Sequence, residues 1–489
     1  MVVNSINFLL FFIVVFLVYY MPVVSQRKNL QNIWILITSY FFYGFVDWKM
    51  LPLLFCVTVV FYLLGAWLKA SMNSNKSRLA SRITTLGVVL GVGLLLYFKY
   101  LNFFADSFAS LLQAVGISAS WSTLNIVLPI GVSFFTFKLI SYVIEIHRER
   151  IQPAESFIEF ATYIAFFPTI LSGPIDRPNK FLPQLRKNHQ FDYNLAVDGC
   201  QQILWGIFTK MVIADTIALI TTEAWTNFSS KDASYLLYAV LLSPVQVYAD
   251  FDGYSNMAIG VGKILGFNVT KNFNHPLLAR NVSEYWRRWH MSLTSWITDY
   301  VFMPLNIAFR NLATLGLFLA ICINLVVIGL WHGANWTYAL FGFYHSLLFI
   351  PLICFGKFGK NKKLKQGRWG LPLMKDLAMM ILTYVLVAFG QVIFFATDVP
   401  SISSFISTVA SGSWNMSFLF DISTLLPIPM AIFLFCLDWT SRKKEFAIQR
   451  ASRIYTNKTI NILILDLFIA LIVAFFGYNG QGSFIYFNF

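Results

Sequence analysis

Residues 312–336 read LATLGLFLAICINLVVIGLWHGANW. Between Leu315 and Leu330 there is no charged side chain. With its flanks the run reaches the roughly 20 residues an α-helix needs to cross the hydrocarbon core of a bilayer. It ends at His332. An ionisable group at that depth is costly enough to call for a function. Imidazole is also the side chain that exchanges a proton most readily near neutral pH. One stretch therefore predicts a membrane helix and a candidate base at its end.

The rest of the chain agrees with the first half of that reading. Of 489 residues, 57% are hydrophobic and 12% charged, with 50 Phe and 14 Trp. Soluble chains carry about 25% charged residues, so this surface is not built mainly for water. Further apolar runs lie at 6–24, 30–47, 51–69, 83–99, 124–145, 157–173, 200–220, 234–250, 336–355, 376–396, 425–439 and 459–478. The spacing predicts an all-α polytopic integral membrane protein with about 9–12 transmembrane helices, the remaining runs being re-entrant or interfacial. Run 200–220 carries Lys210 and Asp215, and run 425–439 is short and holds Pro427 and Pro429. No basic stretch or small-residue cleavage signal accompanies run 6–24, which is read as a first helix rather than a removed leader.

The net charge of +14 sits in loops between apolar runs, and no soluble basic module accompanies it. That excludes nucleic acid and names the lipid bilayer as the partner. Loops at 27–28, 76–82, 357–368 and 442–458 are basic, whereas 397–424 holds Asp398 and Asp421 and no Lys or Arg. Placing the basic loops in the cytoplasm puts both termini outside. Five scattered cysteines form neither a disulfide framework nor a metal motif. No internal repeat is visible, which disfavours a proton-coupled transporter built from inverted halves.

Residues 262–310 break the pattern: polar for a span, yet rich in aromatic rings. Asn272-Phe-Asn-His-Pro276 is a breaker, and Val282–Tyr300 is expected to be one amphipathic helix, at the interface or dipping into the protein. In Glu284-Tyr-Trp-Arg-Arg-Trp-His290, helical spacing sets Glu284 beside Arg287 and Arg288, with His290 a turn further on. Two arginines near a histidine suit a phosphate-bearing ligand. Taken alone, the same residues also describe a surface helix with snorkelling arginines and anchoring tryptophans. His332 lies between Trp331 and Gly333-Ala334-Asn335, where small residues admit a second backbone or a substrate. A structural histidine bound to a neighbouring carbonyl is the commoner meaning of such a residue. His345 is expected to pack. Asp250, Asp252 and Tyr254 form a third group: two acids supply too few ligands for a metal, and pairing with Arg287, Arg288 or Lys263 is expected.

Several ordered blocks resemble the membrane-bound O-acyltransferases, nearest to the bacterial branch of alginate, peptidoglycan and cellulose O-acetylation. They are Leu128-Pro-Ile-Gly-Val-Ser-Phe-Phe-Thr-Phe137, Phe166-Phe-Pro-Thr-Ile-Leu-Ser-Gly-Pro-Ile175, Asp250-Phe-Asp-Gly-Tyr-Ser255, Glu284–Leu293, Gly329-Leu-Trp-His-Gly-Ala334 and Phe484–Phe489. The resemblance implies one domain over 1–489, a motif-bearing core at about 124–356, and a central tunnel or funnel. It implies that His332 is catalytic and His290 a second essential histidine; from the residues themselves, Arg287, Arg288, Glu284, Trp331, Asn335, Asp250, Asp252 and Tyr254 are expected to bind donor or substrate or to support the site. It further implies a bacterial inner-membrane enzyme with no bound cofactor, using acetyl-CoA or another acyl thioester from the cytoplasm as donor substrate. An extracytoplasmic SGNH-type partner and a polysaccharide acceptor complete that expectation. D-alanyl transfer to teichoic acid from a carrier-protein thioester is the runner-up. The chain departs from the bacterial pattern at Lys138, Asp252 and Asn256, and lacks an arginine near Phe394–Thr397. These departures leave acyl transfer intact and the polymer open.

Overall fold

The computed structural model describes residues 3–117, 126–360, 364, 367, 370–450 and 458–477. The closing block Phe484–Phe489 lies outside them. Every regular element named below is helical, and the chain groups into two compact units. One comprises residues 1–200 and 258–270, the other 201–257 and 271–489.

In the first unit, helices Lys28–Asp47 and Leu51–Asn73 are joined by a 3₁₀ turn, Trp48–Met50. Together they form a stretch of 46 residues. At about 1.5 Å per residue this is far longer than one crossing needs, so it holds two of the expected spans. Helix Val132–His147 packs against Ser77–Leu95 and Leu51–Asn73, and is buried along nearly its whole length. The expected span 157–173 does not form. Helix Phe157–Ala165 is nine residues, because Pro168 cannot continue the ladder of hydrogen bonds, and residues 166–172 follow as buried turns. The outward faces are as apolar as the core: Leu9, Phe41 and Val89 are all more than half exposed. Such a surface is stable against lipid rather than water.

Seven helical stretches among the described residues are long and apolar enough to cross a membrane, and three shorter apolar helices accompany them. Two of the seven, in the second unit, form a hairpin, Ala313–His332 followed by Trp336–Leu347 and Ile350–Cys354. Glycine allows its two long helices to meet backbone to backbone. A Cβ on Gly329 would stand 2.0 Å from the Tyr338 carbonyl oxygen, and one on Gly342 2.2 Å from that of Leu325. The hairpin's tip is residues 333–335, so His332 sits at a pinned end.

The stretch Tyr193–Thr226 is continuous helix through a π-helical turn, Thr209–Ala214, that holds Lys210. Its charges are tolerated because they neutralise one another. Lys210 Nζ lies 2.7 Å from Asp215 and 2.5 Å from Asp250, all three buried.

The expected single helix Val282–Tyr300 is broken. It runs as Val282–Arg288, a break at Trp289 and His290, Met291–Ile297, and a π turn Thr298–Phe302. His290 takes the left-handed conformation, φ 42° and ψ 55°, which ends one helix and starts another. The preceding strand-like segment supplies the reason. Met291 N–H donates to Asn272 O at 2.7 Å and Asn274 N–H to Arg288 O at 3.0 Å. Backbone groups that a continuous helix would use internally are here exchanged with a neighbouring chain segment.

Candidate active site

His332 is buried at the end of its helix, with the Phe394 ring 5.3 Å and the Trp331 ring 5.2 Å away. Trp331 also faces His290 at 5.5 Å, edge to face. Both histidines thus contact one indole. His290 is buried too, between Trp331, Phe251 at 4.7 Å and Phe273 at 6.5 Å. Burial holds its imidazole well below the ordinary pKa, and the nearby His332 pushes the same way, since a proton on either ring disfavours one on the other. Both rings are buried, and His290 is held in its neutral, proton-accepting form.

His290 Nδ1 lies 3.0 Å from Oδ1 of Asn272. That residue was read only as part of a chain breaker. Its one signal in the sequence was an amide in the middle of an aromatic-rich segment, which is not enough to assign a role.

The second histidine motif divides its polar groups between two tasks. Asn281 caps helix Val282–Arg288 by accepting from Glu284 N–H. The Glu284 carboxylate accepts from Arg280, through its backbone N–H and Nε, and from Arg288 Nη2. Helical spacing had left open which arginine Glu284 holds; it holds Arg288 one turn away. Arg287 is exposed. A cavity of about 400 Å³ opens beside this helix, lined by Arg280, Glu284 and Arg288 together with Trp439, Arg442 and Lys443. The Arg442 guanidinium stacks 4.2 Å from the Trp439 ring. Four cations against one carboxylate give the cavity a positive lining. Arg442 and Lys443 were noted only as part of a basic loop.

The remaining expected residues fall elsewhere. Asn335 accepts from Thr337 N–H and donates to the Thr397 carbonyl, so its side chain caps and ties the hairpin. Asp250 does not pair with Arg287, Arg288 or Lys263. It pairs with Lys210, because Arg288 is taken by Glu284 and Lys263 lies 13 residues (about 20 Å) further along helix Ala233–Ile264 and binds Asp198. Asp252 accepts from Asn256 one turn on, with Lys271, His275 and Asp438 as charged neighbours. Tyr254 is buried on the same helix. His345 packs among the rings of Trp286, Phe341 and Tyr344. Among the described residues no cluster of three or more His, Cys, Asp or Glu could hold a metal.

Comparison with known proteins meets this geometry. The description "MBOAT, membrane-bound O-acyltransferase family" matches residues 33–389. A protein of Pseudomonas aeruginosa named "Probable alginate O-acetylase AlgI" is 33% identical over 85% of this chain and 76% of its own length. The peptidoglycan O-acetyltransferase of Helicobacter pylori is 30% identical over 70% of this chain and 69% of its own. The teichoic acid D-alanyltransferase of Bacillus subtilis is 31% identical over 55% and 69%. Paired buried imidazoles, lipid-facing helices and the match over most of the chain lead to one conclusion: this chain belongs to the membrane-bound O-acyltransferase family.

Proposed function

We propose that the protein is an O-acetyltransferase of the bacterial cytoplasmic membrane, passing acetyl from a cytoplasmic thioester outward for O-acetylation of an envelope polysaccharide. The observation that carries this reading is that His290 and His332, both buried, stand within 5.5 Å and 5.2 Å of the one Trp331 ring. In the reaction, His332 takes the proton of the attacking hydroxyl as its oxygen bonds the thioester carbonyl carbon. The carbon–sulfur bond breaks and the departing thiolate recovers the proton. The acceptor is the polysaccharide hydroxyl or that of an extracytoplasmic SGNH-type partner which completes the transfer. The relatives named for alginate and peptidoglycan O-acetylation support acetyl as the group and a polysaccharide as the final acceptor.

Donor entry is assigned to the cavity of Arg280, Arg288, Trp439 and Arg442. Coenzyme A carries phosphates and a carrier protein's phosphopantetheine carries one phosphodiester; arginine meets either with a bidentate fork. The basic loops support placing this side in the cytoplasm and both termini outside. A cysteine at Ser403 is then expected to react with an impermeant maleimide from outside, and one at Lys360 is not.

The decisive assay uses proteoliposomes of the full chain with labelled donor. Label from acetyl-CoA entering polymer or a partner hydroxyl, and vanishing in His332→Ala, supports the reading. Transfer only from a D-alanyl carrier-protein thioester replaces acetyl by alanyl. Absence of transfer from any thioester overturns the function.

A further inference from the structure

Asn272 is buried and makes five hydrogen bonds across three elements. Its Oδ1 lies 3.0 Å from His290 Nδ1, accepts from Ser292 N–H at 3.3 Å, and accepts from Ser292 Oγ at 2.8 Å. Its Nδ2 donates to Ser255 Oγ at 3.2 Å, and its carbonyl takes the Met291 N–H. An amide presents an oxygen and a nitrogen of nearly the same shape, and an imidazole can carry its proton on either nitrogen. Here one partner removes both ambiguities. The Ser292 N–H can only donate, so the atom facing it must be the amide oxygen. It is an orphan donor in the first turn of helix Met291–Ile297, whose N-cap His290 offers no side-chain cap of its own. Ser255 Oγ can accept the amide hydrogen that then points to it. The oxygen that caps the helix also faces His290 Nδ1, which must therefore hold the hydrogen.

We infer that Asn272 is a positioning residue that fixes His290 with its proton on Nδ1, leaving the lone pair on Nε2 as the acceptor this ring presents to the acyl-transfer site. The catalytic consequence rests on the proposed function; the tautomer does not. Asn272 works through His290, as the partner of a catalytic imidazole commonly does by holding its tautomer and plane. The left-handed backbone at His290 and the facing rings of Phe251 and Trp331 set where the imidazole stands; Asn272 sets which nitrogen accepts. The titratable neighbour bearing on His290 is His332.

Two measurements test this on the full chain in nanodiscs. The first is the ¹⁵N spectrum of histidine-labelled protein near neutral pH, with His290 assigned by its loss in His290→Gln. Nδ1 in the protonated range and Nε2 in the unprotonated range are expected; a proton on Nε2 overturns the tautomer. The second compares Asn272→Leu with Asn272→Asp. Leucine has no acceptor, and the rate should fall about 10²-fold with donor KM nearly unchanged. A carboxylate keeps both acceptor roles and stabilises the imidazolium, which raises the His290 pKa. Activity should then return to within about tenfold of wild type, with the acid limb of the pH–rate profile moved to higher pH. Equal losses in both variants, with an unmoved profile, reduce Asn272 to a structural tie and overturn the inference. A wild-type rate in His290→Gln overturns it through its premise, whatever the spectrum shows.

Discussion

His332 stands on the last turn of a regular helix of 20 residues, whereas His290 stands in a break between two helices of seven residues each. A regular helix spends its backbone groups on itself, and His332 at its end stands against the rings of Trp331 and Phe394. The broken segment has backbone groups to exchange, and through them it brings an amide to His290 Nδ1. The two imidazoles near one indole thus stand on different backbones, and the irregular one brings His290 a directed hydrogen bond. Irregular backbone is what allows this directional contact to be built beside His290.

The comparison breaks most sharply at His332. In His332→Ala, acyl transfer should fall by at least about 10³-fold while protein abundance in the membrane stays nearly constant, because the loss is chemical. His290→Gln should lose about 10²-fold. Labelled-donor assays paired with immunoblots check both, and a deeper loss in His290→Gln would exchange the roles of the two rings. The charged triad gives the opposite outcome. Lys210→Met leaves Asp215 and Asp250 buried without their cation, at a cost of about 3–5 kcal/mol, so folded protein should disappear while the specific activity of what remains holds. Size-exclusion yield and thermal unfolding in detergent measure that.

Smaller effects sharpen the donor side. Arg288→Gln should raise the apparent donor KM about tenfold, and Arg287→Gln by less than about twofold, since only Arg288 lines the cavity. Initial rates against donor concentration separate them, and equal effects would remove the cavity from donor binding. The smallest change is expected from Ser255→Ala. It deletes the acceptor of Asn272 Nδ2 and leaves Oδ1 in place, so about 1 kcal/mol, or a several-fold loss of rate, should follow. A loss as deep as that of Asn272→Leu would show that the amide's orientation depends on Ser255.

Much of this could be read in advance, for a physical reason. The helix ending in His332 is local: an apolar run of membrane length, the histidine and the small residues after it all lie within 312–336. Pairings between distant segments have no such local signal. Asp250 looked matched to the arginines at 287 and 288, yet its partner Lys210 lies on a different helix, made available by a π turn. The break at His290 was hidden because Val282–Tyr300 carries a helix-compatible pattern, and the backbone exchange that breaks it comes from residues 272–274. Spacing showed that Glu284 could hold either arginine; only packing decided for Arg288.

The glycine contacts of the hairpin bear on timing. With Gly329 and Gly342 each facing a carbonyl oxygen too closely for even one more carbon, neither helix can slide along the other without a clash. A site serving two sides of a barrier has two options: the reactive group travels, or the cargo does. Packed this closely, the two helices hold their register at the His332 end, so under the proposed function the donor would carry the acyl group to the imidazole rather than the reverse. On that reading, transfer would be paced by the reach of the donor rather than by rocking helices. Turnover should then slow with solvent viscosity, where donor diffusion is felt, and respond weakly to bilayer stiffness.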